Sequence, residues 1–363
     1  MSKQSGIDIN LGNKCSKNAY SWAKKTFKNR EGMEGAPAIG VDGAFANVIH
    51  FKNARIGISS DGIGTKIELG ERTGIYNTLG YDLVAMVVDD LVANGFEATS
   101  LSNIIDLDYL DYDVIDAMME GLHGAAEEAA IAITGGEIAE LGDRMNGFGK
   151  NMHFNWCSTA IGILPDELEK PIDGTAVKAG DAIVSIASRG FRSNGFSLVR
   201  RVMKEQFGAD WHNEKYDDNR TWGELLLTPC LIYCRVVSDL IKHGIIPNGI
   251  SHVTGGGLAD NLGRVLKENK LGAELNNIHE PAEFVKKLQE LGKVEEELAY
   301  RVWNMGNGML LVMDAEKAEA AVAFLNEKGF NAKVAGNVTE DEKITIMTKG
   351  INSQKLEYTE TDK

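Results

Sequence analysis

Apolar and polar positions follow two different periods along this chain, and the changes between them mark its elements. Short apolar runs bounded by glycine or polar residues predict strands at 47–51, 55–60, 99–105, 130–134 and 157–163. Apolar residues at helical spacing predict helices over 80–94 and 113–130. A second series begins near Asp181, with a strand at 182–187 and helices near 196–207, 228–243, 258–269, 282–291 and 315–328. Late strands fit 309–313, 332–336 and 343–347. Residues 1 to about 30 are polar and end in a short predicted helix around Ala19 to Lys28. The segment Leu164-Pro165-Asp166-Glu167-Leu168-Glu169-Lys170-Pro171, with two prolines and four charges, reads as a linker. It divides the chain into domains 1–170 and 171–363. Each half mixes strands and helices, so the fold class is α/β or α+β, and no solenoid period appears.

Composition narrows the function. At 363 residues the chain suits roughly two domains on a ~150-residue scale. Its 43% apolar and 25% charged residues are ordinary for a globular protein with a sizeable core. A net charge of −15 argues against nucleic acid as a partner, since phosphate backbones are bound through an excess of Lys and Arg. No 18-residue apolar run and no signal-peptide core is present, which predicts a cytoplasmic protein with no membrane partner. Cys15, Cys157, Cys230 and Cys234 are too few and scattered for a disulfide framework. Cys230 and Cys234, one helical turn apart, read as packing in a reduced helix rather than a metal site. Forty glycines against six prolines is the one skew, and it suits backbone-mediated ligand binding.

The candidate chemistry sits in several Gly-rich segments. Asp61-Gly62-Ile63-Gly64-Thr65-Lys66 reads as a turn leaving an apolar strand. Its glycines let backbone amides approach a ligand, Asp61 offers hard oxygens for Mg²⁺, and Lys66 offers a point charge for phosphate. It is not a Walker A loop, because Ile63 stands where the lysine belongs, and no G-x-G-x-x-G occurs. The helix Gly80 to Leu91 carries an apolar stripe (Leu83, Val84, Val87, Val88, Leu91) with Asp82 and Asp89 on an adjoining face and Asp90 beside it. That acidic face reads either as metal coordination or as the exposed back of a helix. Thr134-Gly135-Gly136-Glu137 reads as a Gly-Gly turn that places a carboxylate at a strand end, or as a simple turn. Ser188 to Gly195 leads into a helix that Ser193 is placed to cap, and Arg189 and Arg192 would add charge to an anion site there. Ser251-His252-Val253-Thr254-Gly255-Gly256-Gly257 precedes another helix, where three glycines favour phosphate cradling and His252 is a possible proton shuttle. Met305-Gly306-Asn307-Gly308-Met309 enters a strand as a tight turn or bulge.

The order of these segments closely resembles the phosphoribosylformylglycinamidine cyclo-ligase (AIR synthetase) family over nearly the whole chain. The resemblance begins at Ser5-Gly6-Ile7-Asp8-Ile9-Asn10-Leu11-Gly12-Asn13. It continues through Asp61 to Lys66, Asp82 to Leu91, Gly135-Gly136-Glu137 and Ser193-Asn194-Gly195-Phe196-Ser197-Leu198-Val199-Arg200. It closes with His252 to Gly257 and Gly306 to Met309.

The resemblance implies a homodimer of two-domain chains, with strands of both N-terminal domains closing a shared β-barrel and an α/β C-terminal domain. It implies that ATP activates the amide oxygen of a small-molecule substrate, formylglycinamidine ribonucleotide, and that ring closure yields aminoimidazole ribonucleotide. Carried over residue by residue, it assigns Asp61, Asp90 and Glu137 to Mg²⁺–ATP, Lys66 with Gly62, Gly64 and Thr65 to the phosphates, and Ser193, Asn194, Gly195, Thr254, Gly255, Gly256 and Gly257 to phosphate binding, with His252 as an acid–base group.

Three departures stand out. Arg192 replaces a usual His, Asp89 replaces a usual Asn, and Gly40-Val41-Asp42-Gly43-Ala44-Phe45 replaces a Gly-rich segment. A guanidinium cannot act as a general base, though it can neutralise phosphate. The alternatives are a sister ATP-dependent activity on the same scaffold, or a non-catalytic nucleotide-binding subunit.

Overall fold

The computed structural model describes residues 29, 31, 36–37 and 47–359. The segments Ser5–Asn13, Ala19–Lys28 and Gly40–Phe45, together with Cys15, lie outside the described residues.

Alternation along the N-terminal strands builds a six-stranded sheet from β1 (Ala36–Pro37), β2 (Asn47–Phe51), β3 (Ala54–Gly62), β4 (Glu97–Leu107), β5 (Ala132–Glu140) and β6 (Phe154–Ile163). Its order is β1-β2-β3-β6-β4-β5, and only β4 and β5 pair in parallel. Along β6, Phe154, Trp156, Ser158 and Ala160 are buried while Thr159, Ile161 and Ile163 are exposed, so one face is core and the other is open. Among the described residues the sheet is open, and no barrel closes within one chain.

The core face is covered by α1 (Ile67–Thr73), α2 (Leu79–Ala93) and α3 (Tyr112–Ala129). Asp111 caps α3 by accepting from Asp113 N and Val114 N. Helices α2 and α3 cross closely because Gly80 and Gly121 lack side chains: a Cβ on Gly121 would lie 2.0 Å from the Asn77 carbonyl oxygen.

A second sheet contains β7 (Ala182–Ala187), β8 (Gly249–His252), β9 (Gly272–Leu275), β10 (Asn307–Met313), β11 (Ala332–Thr339), β12 (Ile344–Met347) and β13 (Lys355–Tyr358). The order is β13-β12-β9-β11-β7-β10-β8, antiparallel except for β9 with β12. Around it pack α4 (Phe196–Phe207), α5 (Trp222–Leu226), α6 (Cys234–Lys242), α7 (Gly257–Leu266), α8 (Glu283–Leu291), α9 (Glu296–Val302) and α10 (Ala315–Glu327).

The two halves meet across α2. Thirteen of its fifteen residues are buried, because one side lies on the first sheet and the other on residues 228–234 and β8 of the second half. The reading of its acidic face as an exposed helix back is therefore corrected: Asp82 and Asp89 are fully buried.

The helix expected over 228–243 starts only at Cys234. Pro229 interrupts the pattern, and the amides of Cys230, Tyr233 and Cys234 donate instead to Asp82 and Asp89. Asp89 thus caps α6 from the other half of the molecule. Cys230 and Cys234 are buried free thiols, as the packing reading expects.

Candidate active site

The site is assembled where the end of β3, the second half of α2, the loop before α4 and the loop after β8 converge. Asp61 pairs in register with Ser158 of β6 and so points to the core face, as does Ser59 two residues earlier. Ser59 Oγ donates to Asp90 Oδ2 at 3.3 Å, and Asp90 Oδ1 lies 2.7 Å from His252 Nδ1.

Asp61 is exposed at the end of β3. Even so, desolvation pushes its carboxyl up to about 6, against a bond from Gly62 N and with the charge of Asp90 adding to the rise. Burial pushes Asp90 up to about 7, opposed by Arg264, Ser59 and Arg192. Two adjacent carboxylates that resist ionisation favour a cation between them and their ligand. Among the described residues no group of three or more His, Cys, Asp or Glu side chains could hold a metal. A pair of carboxylates is the kind of donor set that Mg²⁺ takes, completing its shell with substrate phosphates and water.

Glu137 does not join them. The expected Gly-Gly turn is a continuous strand, because β5 stays paired with β4 through Gly135, Gly136 and Glu137. Gly136 is there for close approach, since a Cβ would sit 2.5 Å from Asn103 O. The row Asp61, Ser158, Asn103, Gly136 runs across one face, so Glu137, one residue on, is exposed on the other.

Lys66 and Arg192 are also placed differently from the phosphate reading. Gly64–Lys66 forms a 3₁₀ turn that carries Lys66 inward, where it is fully buried. Its Nζ donates to Asp82 at 2.9 Å and to the Thr228 carbonyl at 2.9 Å, joining the two halves. Arg192, likewise buried, places Nη2 2.9 Å from Asp89 Oδ2 and 2.8 Å from His252 Nε2, and Nη1 3.1 Å from the Leu231 carbonyl. His252 is fully buried with both ring nitrogens engaged, and burial with the Arg192 charge lowers its pKa to about 3. A proton shuttle needs an accessible nitrogen, and this ring offers none.

The Gly-rich segments keep their exposed backbone. Gly62, Gly64, Thr65, Asn194, Gly195, Thr254, Gly255 and Gly256 all retain solvent access, while Gly257 is buried. Helix α7 starts after Gly256 (φ 99°) with no side-chain cap; its first amide, Gly257 N, donates to the Thr254 carbonyl at 3.2 Å, and the next amides of the turn are the ones left for an anion. Gly257 has no room for a side chain, since a Cβ would meet the Tyr300 carbonyl at 1.9 Å. Asn261 holds this loop by donating to the Gly257 carbonyl at 2.7 Å. The buried Oδ1 of Asn194 has no partner, and its amide lies beside Gly255. Ser193 does not cap α4, because Gly195 takes the N-cap with φ 77°, and Ser193 Oγ rests 3.9 Å from Cys230 Sγ. Sequence reasoning missed Ser59, whose signal was its place two residues before Asp61 on the same strand face.

Residues 43–164 match the model for the AIR synthase related protein N-terminal domain, and residues 178–349 match that for the C-terminal domain. The phosphoribosylformylglycinamidine cyclo-ligase of Thermococcus gammatolerans is 35% identical over 348 residues, covering 96% of this chain and 98% of that protein. The cyclo-ligase of Caldanaerobacter subterraneus is 34% identical over 341 residues, covering 94% and 98%. Among solved structures, the hydrogenase maturation protein HypE in complex with ATP superposes with a TM-score of 0.58 at 19% identity, covering 82% of this chain and 85% of that one. AaThiL complexed with AMPPCP and TMP gives 0.61 at 15% identity, covering 94% and 96%. These structures share the fold. With the N- and C-terminal family domains in order and relatives matched over nearly their full length, the chain belongs to the phosphoribosylformylglycinamidine cyclo-ligase (AIR synthase) family.

Proposed function

We propose that this chain closes the imidazole ring of aminoimidazole ribonucleotide from formylglycinamidine ribonucleotide, converting ATP to ADP and phosphate. The observation that carries this reading is the full-length similarity to cyclo-ligases, joined to the pairing of Asp61 with Asp90, which meets His252 at the end of the strand that leads through the Gly-rich loop into α7. The γ-phosphoryl group passes to the substrate amide oxygen, the amidine nitrogen attacks that carbon, and the C–O bond breaks as phosphate leaves. Such chemistry depends on positioning and charge neutralisation.

When bound, Mg²⁺ would neutralise the phosphate oxygens and leave the γ-phosphorus open to attack. Asp61 and Asp90 would hold it, with Ser59 and His252 fixing the Asp90 rotamer. Gly62, Gly64 and Thr65 on one side and Asn194, Thr254, Gly255 and Gly256 on the other would line the ATP and ribonucleotide phosphates through their amides. Lys66 and Arg192 act on the site from behind, by holding the two halves together.

We further read residues 1–170 and 171–363 as two domains of a cytoplasmic enzyme, and the open face of the first sheet as the dimer contact. Ile104, Ile161 and Ile163 are 49%, 39% and 42% exposed on that face, an apolar surface suited to a second copy.

The test is turnover by the purified protein with ATP, Mg²⁺ and formylglycinamidine ribonucleotide. ADP and aminoimidazole ribonucleotide should appear in equal amounts, and Asp61→Asn should lower the rate at least about 100-fold with the fold intact. Absence of the imidazole product from the wild type sinks the reading, and an unimpaired Asp61→Asn sinks the metal role.

A further inference from the structure

Asp89 and Asp90 are consecutive on α2, yet each engages the second half of the molecule through a different partner. Asp90 meets His252 Nδ1, and Asp89 meets Arg192, whose Nη2 in turn touches His252 Nε2. The four side chains make one closed path: Asp89, Arg192, His252, Asp90, and back along the helix.

Hydrogen-bond chemistry allows one protonation pattern along this path. A guanidinium has donors and no acceptor, so Nε2 of His252 must offer its lone pair to Arg192. Nδ1 then carries the proton and donates it to Asp90. Asp89 receives three donors, from Arg192 and from the amides of Tyr233 and Cys234, which suits an acceptor-only carboxylate. Arg192 keeps this place at a backbone cost, since its φ of 57° lies in the left-handed region that a bulky side chain rarely adopts. Its ring contact with Tyr233, 5.0 Å to the centroid, adds a second restraint on the same group.

We propose that Arg192 and Asp89 work as one coupled unit, a buried interdomain charge pair that positions His252 in its Nδ1–H tautomer and thereby orients Asp90. Arg192 is a positioning residue, and the anion its guanidinium neutralises is Asp89. Asp89 in the second half of α2 and Arg192 before Ser193 meet in one 2.9 Å contact, so a change at either residue is felt by the other. Arg192→His alone leaves a carboxylate buried without its cation, which costs far more than the loss of one hydrogen bond. Asp89→Asn alone leaves the guanidinium in the same position. Changed together, the two become a neutral hydrogen-bonding pair.

The role of Asp90 rests on the cyclo-ligase reading, whereas the coupling and the tautomer are read without turnover. Three variants of the full chain, Arg192→His, Asp89→Asn and the double change, are compared by thermal unfolding and by kcat and KM. Each single change should lower Tm by roughly 10 °C or more. The double change should recover at least half of that loss and of the fall in kcat, with KM for ATP little moved. Additive losses in the double variant overturn the proposal. The nitrogen-15 shifts of the wild-type imidazole, assigned by their disappearance in His252→Gln, form the second arm, which needs no folded charge-pair variant. A neutral ring protonated at Nδ1 is expected, and a ring protonated at Nε2 or at both nitrogens refutes the proposal. Inactive wild type with intact coupling would count against the cyclo-ligase reading alone.

Discussion

Asp61 and Asp90 are held at about 6 and about 7, which would tie the cation binding we propose for them to pH. Both folded-state values lie above the ordinary carboxylate value of about 4. Each group therefore contributes stability that is present below about pH 4 and is lost as pH rises through 6 to 7. His252 acts in the opposite sense: with a folded value near 3, its contribution is present above its ordinary value and is lost as pH falls. The two trends overlap, so the clearest readout is the ligand-induced shift. Mg²⁺–ADP should raise Tm more at pH 8, where both carboxylates are charged, than at pH 5.5, where they are largely protonated. An equal shift at both values would remove these carboxylates from cation binding. At this scale the sequence singled out Asp61 and Asp90, which the structure brings near each other, but it placed Lys66 and Arg192 on phosphate, away from where their side chains lie. Lys66 and Arg192 stand beside glycines and look like phosphate ligands, yet buried carboxylates on α2 claim both. A charge partner 16 or 103 residues away leaves no mark on local spacing.

Among the elements, β7 and α4 match the sequence pattern residue for residue: β7 is a short apolar run buried on both faces, and α4 has one buried stripe bounded by Gly195 and Gly208. Helix α2 illustrates the opposite case. A helix clamped between two domains is buried all round, so its polar residues lose the usual meaning of an exposed face. The Gly135–Gly136 pair misled for a related reason: in β5 Gly136 serves close backbone approach within a strand rather than a turn. Short elements such as α5, β8 and β9 carry too few residues for a period to emerge. The α2–α3 crossing yields a test at this scale. Gly121→Ala gains about 1 kcal/mol of helix propensity. Its Cβ, however, would sit 2.0 Å from the Asn77 oxygen, and overpacking of that kind costs up to about 3 kcal/mol. We expect a net loss of about 2 kcal/mol in urea unfolding. Unchanged stability would mean that the crossing is not tight.

For the whole molecule, the order of motifs carried the family, since each Gly-rich segment alone is ambiguous and only their sequence along 363 residues is specific. The interdomain contacts were not legible, because the ion pairs that form them join residues with no common motif. The open sheet face is the other whole-molecule feature. Ile161→Lys, on its exposed row, should convert the dimer we propose to a monomer by light scattering while leaving monomer secondary structure unchanged. A dimer of undiminished stability would place the contact elsewhere. The central claim, that this cleft activates an amide oxygen for ring closure, is tested most directly by following that oxygen. Formylglycinamidine ribonucleotide labelled with oxygen-18 at the amide is turned over with ATP and Mg²⁺. Our account predicts that the label leaves in inorganic phosphate, one atom for each aminoimidazole ring formed. Unlabelled phosphate, or ADP released without the ring, would contradict it.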